Sequence, residues 1–198
     1  MNKGHIFFLS GVAGAGKGTV IQKLLEANIP DFKLALSCKT RDYRIGEKEG
    51  VDYNKLTIEE FQKGINNGEF LEYNFVHNQN YYGVRYSDVI ENGIEKGKTI
   101  LKEMEILGYE KFLQQRPDLK PYYSYIFLDL PIEKIKERMI SRGDSVEGVD
   151  YEKRIESAQK ESAKKHIADH IVNADQTPEE VFQEVLSIIS KKNTGNFI

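Results

Sequence analysis

The sequence is poor in several features that would assign it to other classes of protein. It has a single cysteine, Cys38, in 198 residues, so no disulfide can form within the chain and a reducing, cytoplasmic location is predicted. No apolar run approaches the roughly 18 residues that a membrane span requires, so no membrane partner is expected. Positive charge is not in excess: 28 Lys and Arg against 31 Asp and Glu give a net charge of −3, which argues against a nucleic-acid partner. Any site for an anion must therefore be local.

The apolar patterns alternate between strand-like and helix-like segments. Strands are predicted at 5–10, 33–37, 98–104, 122–130 and 170–173, and helices at 17–27, from 57, 87–96, from 131, 151–166 and from 177. Capping boxes at Thr57 and Thr177 mark the starts of two of these helices. Such alternation predicts an α/β fold with a mostly parallel sheet covered on both faces.

A glycine-rich loop follows the first predicted strand and opens the first predicted helix. Its residues are Gly11, Val12, Ala13, Gly14, Ala15, Gly16, Lys17, Gly18 and Thr19. The spacing G-x-x-x-x-G-K in this context is typical of a P-loop, which binds a nucleoside triphosphate through backbone N–H groups and a lysine charge. Gly18 replaces the hydroxyl residue that often contacts Mg²⁺, so we expect Mg²⁺ to be bound mainly through ATP phosphates and water.

Five further blocks follow in order: SCKTRDYR at 37–44, GE at 46–47, GVDY at 50–53, FLEY at 70–73 and NYYG at 80–83. Together with the loop they resemble the guanylate kinases, and the resemblance runs from about residue 5 to residue 190. It implies a P-loop kinase fold with a central parallel sheet of about five strands. The expected parts are a core (1–36, 86–137 and 158–198), a GMP-binding insertion (37–85) and a lid (138–157).

The residue types in the insertion suit a nucleoside monophosphate. Arg41 and Arg44 offer two guanidinium groups to a dianionic phosphate, and Tyr53 and Tyr82 can add hydroxyl donors. The Glu72 carboxylate can accept hydrogen bonds from N1–H and the exocyclic amine of guanine, a donor pair that adenine lacks. By resemblance, the GMP-binding residues are Ser37, Arg41, Arg44, Tyr53, Glu72, Tyr82, Gly83, Val84, Glu103 and Glu105.

The resemblance also implies a set of charged residues at the transferred phosphate. Lys17 and Arg41 are expected to act there with Arg138, Arg142 and Arg154 of the lid, because arginines neutralise charge spread over the moving group. Asn173 matches a residue near adenine. The expected ligands are ATP and GMP or dGMP with Mg²⁺, and the expected assembly is a monomer or homodimer.

Some residues depart from the family's pattern. Val84 stands where Thr or Ser is usual, Lys39 where Thr is common, Leu107 replaces an amide, and Lys102 lies in an otherwise apolar strand. Lys39 could supply the donor that Val84 lacks. Two alternatives therefore stay open: a monophosphate kinase with another acceptor, and an inactive guanylate-kinase-like interaction module.

Overall fold

A computed structural model of the chain describes residues 3–44, 46–76, 79–141, 143 and 145–194. The strands in these ranges are β1 (His5–Gly11), β2 (Phe32–Leu34), β3 (Ser37–Lys39), β4 (Tyr53–Lys55), β5 (Phe70–Val76), β6 (Asn80–Arg85), β7 (Thr99–Glu103), β8 (Tyr123–Asp129) and β9 (His170–Asn173). The α-helices are α1 (Lys17–Glu26), α2 (Ile58–Asn66), α3 (Ile106–Gln115), α4 (Ile132–Ser141), α5 (Val149–Ala163) and α6 (Pro178–Thr194). None of the helices in the described ranges is long and apolar enough to cross a bilayer.

The described strands form a parallel sheet and a mixed sheet. The parallel sheet has five strands in the order β2-β7-β1-β8-β9, which confirms the predicted α/β fold. All seven residues of β1 are buried, as expected of a central strand in a sheet covered on both faces. The mixed sheet has the order β4-β3-β6-β5, with β3 parallel to β4 and antiparallel to β6.

The chain divides into two compact units. Unit 1 comprises the described residues of Met1–Ile6, Asp31–Lys102 and Leu107–Tyr123, and unit 2 those of Phe7–Pro30, Glu103–Ile106 and Ser124–Ile198. In unit 1, helix α2 covers the mixed sheet, where the Phe61 ring stacks on Phe70 at 4.1 Å between centroids. In unit 2, α1 lies against α6.

The capping boxes have the predicted geometry. The Thr57 side chain accepts from the backbone N–H of Glu60, whose carboxylate in turn accepts from the Thr57 N–H. Thr177 and Glu180 make the same reciprocal pair ahead of α6. These local signals place both helix starts correctly because each cap satisfies backbone donors that a helix leaves unpaired.

Two predicted elements are wrong in detail. The single helix at 87–96 is a π-helical turn (Ser87–Glu91) and a 3₁₀ turn (Ile94–Lys96). Gly93 lies between the two turns with a non-helical φ of −113° and ψ of −96°, so no regular helix continues through it. A Cβ there would lie 2.2 Å from the carbonyl oxygen of Val89, which leaves room only for glycine. The predicted strand at 33–37 is divided between β2 of the parallel sheet and β3 of the mixed sheet.

Candidate active site

The loop between β1 and α1 in unit 2 has the backbone shape that the glycines predicted. A Cβ on Gly11 would lie 2.6 Å from the carbonyl oxygen of Leu128, so only glycine fits against β8 there. Gly16 caps α1 with a left-handed φ of 89°. The Lys17 ammonium folds back over the loop and donates to the carbonyl oxygens of Gly11, at 2.6 Å, and Val12, at 3.4 Å. The loop thus presents a cation beside a helix N-terminus.

Arg138, on α4, ties this loop to the segment that follows β9. Its guanidinium donates to the carbonyl oxygens of Gly14, at 3.2 Å, and Ala174, at 2.5 Å. A cavity of about 340 Å³ beside it is lined by residues that include Gly16, Thr19, Arg138, Gln176, Pro178 and Val181. Its volume is in the range of small-molecule sites.

Asn173 lies at the end of β9, next to this cavity's lining segment. Its side-chain oxygen accepts from the backbone N–H of Asp175 at 2.9 Å, and its carbonyl accepts from the side chain of Gln176 at 2.9 Å. These bonds shape the turn that carries Gln176. Asn173 is thus bonded to the turn that carries Gln176, a lining residue of the cavity.

The other charged residues predicted for the site are one arginine of the lid, Arg154, and two carboxylates predicted to bind GMP, Glu103 and Glu105. Arg154 is exposed on α5, and Glu103 and Glu105 are exposed at and just beyond the end of β7. The prediction for Arg142 falls outside the described residues. Glu105 and Arg154 belong to unit 2, as does Lys17.

Glu161, on α5, is a further carboxylate that the charge of Lys17 affects, and it was not predicted from the sequence. Burial raises the pKa of its carboxyl, the Lys17 charge lowers it, and Glu105 raises it. These effects place Glu161 within electrostatic reach of both groups. Its position in a long polar helix gave no sequence signal.

In unit 1, Arg41 is held by a carboxylate six residues later. Its two terminal nitrogens donate to the two oxygens of Glu47, each at 2.7 Å, and both side chains are mostly buried. The second Glu47 oxygen also accepts from the backbone N–H of Arg44 at 2.7 Å. Such a bidentate pair fixes a guanidinium in one orientation. Among the described residues, the Nε of Arg41 is buried without a hydrogen-bond partner.

The Arg41–Glu47 pair should make stability depend on pH in a defined window. The Arg41 hydrogen bonds lower the pKa of Glu47 from 4.5 to about 2. A carboxylate whose pKa is depressed by folding stabilises the protein fully above its ordinary pKa, and this stabilisation is lost as pH falls towards the folded value. We therefore expect Glu47→Gln to lower the free energy of unfolding above pH 4.5. The difference from the natural protein should shrink between pH 4.5 and 2.

Urea unfolding from pH 2 to 7 measures this difference. Glu91→Gln, an exposed carboxylate on the turn Ser87–Glu91, is the control and should show no comparable loss at any pH. A Glu47→Gln difference that stays constant across the range would contradict the role of the ion pair.

Aromatic rings line the neighbourhood of Arg41. The Tyr53 hydroxyl donates to the Arg41 carbonyl oxygen at 3.3 Å, and the Tyr53 ring stacks on Tyr43 at 4.5 Å. The Lys39 ammonium lies 4.4 Å from the centroid of the Tyr53 ring and 5.8 Å from that of Tyr82. Arg41, Tyr53 and Tyr82 are thus gathered with an additional cation, Lys39. Arg44 is exposed.

The remaining residues predicted for the base lie on strands β3, β5 and β6. Glu72 on β5 is opposite Val84 on β6, and the side chain of Val84 is fully buried. A Cβ on Gly83 would lie 2.8 Å from the Glu72 carbonyl oxygen, so a larger residue would not fit there without a shift. Burial raises the pKa of the Glu72 carboxyl, and the charges of Lys102 and Lys111 lower it. Ser37 is partly buried at the start of β3.

Glu47 and Lys102 contact predicted site residues, Arg41 and Ser37, in pairings that the sequence reasoning missed. Glu47 lies in the GE block at 46–47, and a carboxylate shortly after two arginines was the available signal for its pairing. Lys102 is the opposite case: a charge in an apolar strand is itself a signal, and its partner Ser37 lies 65 residues earlier.

The chain is similar to one family of known proteins in both sequence and structure. The family model described as guanylate kinase matches residues 3–192. The chain is 34% identical over 198 residues to a guanylate kinase of Mycoplasmopsis pulmonis (strain UAB CTIP), covering 98% of each protein. It is 37% identical over 162 residues to one of Clostridioides difficile (strain 630), covering 81% of this chain and 75% of that protein. The crystal structure of guanylate kinase from Anaplasma phagocytophilum is similar with a TM-score of 0.75 and 27% identity, covering 97% of this chain and 87% of that one.

Proposed function

The chain belongs to the guanylate kinase family, and from that membership we propose that it transfers the γ-phosphoryl group of ATP to GMP, giving ADP and GDP. The observation that carries the choice of acceptor is the partly buried Glu72, in the same unit as Arg41, Tyr53 and Tyr82. A carboxylate selects guanine over adenine because adenine would leave its buried oxygens without donors.

Unit 2 is proposed to bind ATP. The backbone of Gly11–Thr19 and the Lys17 ammonium bind the β- and γ-phosphates. Lys17 then donates to phosphate oxygens in place of the carbonyl oxygens of Gly11 and Val12. The cavity beside Arg138 and Gln176 is proposed for the adenine, with Asn173 shaping its edge. Arg138 is then close enough to the loop to approach the phosphates.

Unit 1 is proposed to bind GMP with the phosphate at Arg41. The buried Nε of Arg41 without a partner fits an anion, since a phosphate oxygen would satisfy it. Tyr53, Tyr82 and the exposed Arg44 complete the phosphate contacts. Catalysis needs no side-chain nucleophile, because the GMP phosphate is already anionic and attacks the γ-phosphorus in line. The protein's contribution is positioning and charge neutralisation.

The base is proposed to lie against Glu72, with Ser37, Gly83 and Val84 around it. Glu103 ends strand β7 and Glu105 follows it, and carboxylates at this edge of a parallel sheet can contact ligands. They are proposed to act toward GMP, as the resemblance implies.

Mg²⁺ is proposed to bind together with ATP, mainly through the ATP phosphates and water. Among the described residues, no group of three His, Cys, Asp or Glu side chains could hold a metal ion by itself. A Cβ at Gly18 would meet nothing within 4 Å, so there is room for a water molecule where other P-loops have a hydroxyl. This suits an ion that keeps most of its waters and is bound through phosphates. When bound, Mg²⁺ would neutralise charge on the transferred group.

The segment 138–157 is proposed as a lid, with 37–85 as the GMP-binding insertion on the core 1–36, 86–137 and 158–198. Arg138, Arg142 and Arg154 would then close over the phosphates and exclude water. A cytoplasmic location and a monomeric or dimeric state remain predictions.

The acceptor is tested by measuring product formation from ATP with GMP, dGMP, AMP, UMP and CMP. We expect GMP to give the highest kcat/KM, dGMP to be accepted, and AMP to be lower by about 10⁴-fold, since sites that read hydrogen bonds reject analogues that lack them by such factors. A pyrimidine nucleotide or AMP phosphorylated as well as GMP would instead support the kinase with another acceptor.

A further inference from the structure

Guanine presents two kinds of polar group on its six-membered ring, and the described site has an evident partner for only one of them. N1–H and the exocyclic amine are donors, which Glu72 can accept. O6, bonded to the carbon next to N1, is an acceptor and needs a donor close to the Glu72 carboxylate. Val84, the residue opposite Glu72 in the sheet, offers only methyl groups. An oxygen buried without a donor weakens binding, so the donor must come from elsewhere.

Lys102 has the required position and chemistry. It lies on β7 and is only 4% exposed, which is unusual because a buried ammonium is costly unless it is paired. Its Nζ donates to the Ser37 hydroxyl at 2.6 Å. The same charge lowers the pKa of Glu72 against the effect of burial. Lys102 therefore places a cation at Ser37 and within electrostatic reach of the carboxylate proposed to bind N1–H.

The backbone explains how a residue of β7 reaches the mixed sheet. Leu34 of β2 pairs with Leu101 of β7, and the Ala35 N–H donates to the Leu101 carbonyl oxygen at 2.8 Å. The chain then enters β3 at Ser37. The end of β7 is thereby held alongside the start of β3, which brings Lys102 to Ser37.

Lys39 is the other lysine on this part of the sheet, and its contacts place it elsewhere. Ser37 and Lys39 lie on the same face of β3, two residues and about 6.5 Å apart. The Lys39 ammonium lies over the rings of Tyr53 and Tyr82, at the Arg41 end of the site. The Lys39 charge thus lies near the proposed phosphate position, while the Lys102 charge lies near Ser37 and Glu72.

We propose that Lys102 is a specificity-determining residue that donates a hydrogen bond to O6 of guanine, in the role that a hydroxyl at position 84 would otherwise fill. The Ser37 hydroxyl, by accepting from Lys102, keeps its own hydrogen available to donate to the ligand. The inference rests on the proposed function and concerns the same acceptor site.

The test compares GMP with 6-thio-GMP, whose sulfur is a much weaker acceptor than O6. In the natural protein, kcat/KM for GMP should exceed that for 6-thio-GMP. Lys102→Met should lower kcat/KM for GMP by about 10- to 100-fold, the usual effect of losing a hydrogen bond from a charged group. The KM for ATP should stay unchanged and the GMP to 6-thio-GMP ratio should fall towards one. Lys102→Arg should keep most of the ratio.

Lys111→Met is the matched control, because Lys111 also lowers the pKa of Glu72 but is exposed and donates to Asn74. It should leave the ratio intact. Lys102→Met with an unchanged ratio, whatever the fall in activity, would overturn the proposal and leave Lys102 a structural residue.

Val84→Thr as a single variant gives an independent measurement, because it does not depend on whether Lys102→Met folds. In the natural background it should improve kcat/KM for GMP by less than about twofold, because O6 already has a donor. Added to Lys102→Met, it should recover about three- to tenfold, the effect of a neutral hydrogen bond. A gain of about tenfold from Val84→Thr alone would show that O6 is unpaired and would contradict the proposal. If the natural protein does not phosphorylate GMP at all, the proposed function fails instead.

Discussion

Replacing Lys17 with alanine should lower kcat for phosphoryl transfer from ATP to GMP by at least ~10²-fold, since one preorganised charge on the reacting group typically contributes that much. In the structure the Lys17 ammonium is held by the carbonyl oxygens of Gly11 and Val12, so it is already in place when the phosphates arrive. The glycines fix the loop's backbone, with Gly11 packed against Leu128 and Gly16 at a left-handed φ. The variant should therefore remain folded, with a melting temperature close to that of the natural protein.

Lys23→Ala is the matched control for this experiment. Lys23 lies on the same helix, α1, but pairs with Glu179 at 2.7 Å on the surface. An exposed ion pair of this kind contributes at most about 1 kcal/mol to the free energy of unfolding, so Lys23→Ala should remain folded. Its activity should be unchanged. Near-normal turnover in Lys17→Ala would contradict the assignment of the loop to the triphosphate.

Replacing Glu72 with glutamine should lower kcat/KM for GMP by about 10²-fold, because a hydrogen bond to a charged group contributes about 1.5–3 kcal/mol. The amide retains one acceptor oxygen and gains an NH₂ donor, which would face a donor of guanine. The KM for ATP should not change. Steady-state kinetics with each substrate varied in turn measures both effects.

The nucleotide IMP separates the two donors that Glu72 is proposed to bind. IMP keeps N1–H and O6 but lacks the exocyclic amine, so Glu72→Gln should affect IMP less than GMP. Glu59→Gln, an exposed carboxylate on α2, is the control and should leave both unchanged. An unaltered kcat/KM for GMP in Glu72→Gln would show that another residue reads the base.

The elements that the sequence predicted well are those whose signals are local. Strand β1 follows from consecutive apolar residues, and the starts of α2 and α6 follow from threonines three residues ahead of a glutamate. The loop before Lys17 combines a fixed spacing with a strand before it and a helix after it. In each case the residues that decide the structure are within about ten positions of one another.

The elements that escaped prediction depend on distant partners. Strands β5 and β6 carry aromatic and polar residues without a clear period, and their pairing across the sheet stabilises them. The broken helix after Arg85 reflects close packing at Gly93. The region 37–85 could be recognised only by its motifs.

The site shows the same division between local and distant signals. Arg41, Glu72 and Lys17 could be predicted as site residues because their chemistry matches phosphate or guanine within recognisable motifs, and these roles stay predictions. The Arg41–Glu47 pair and the Lys102–Ser37 contact are properties of the folded chain, which sets the distance between two side chains that no spacing rule connects.

The most direct measurement of the central claim follows ATP and GMP together with this protein by ³¹P NMR. We expect ADP and GDP to accumulate in equal amounts, no ADP to form at a comparable rate without GMP, and little inorganic phosphate to appear. Formation of ADP with inorganic phosphate but without GDP would show that GMP is not the acceptor. The absence of any reaction would show that the protein is not a kinase and would favour the inactive interaction module.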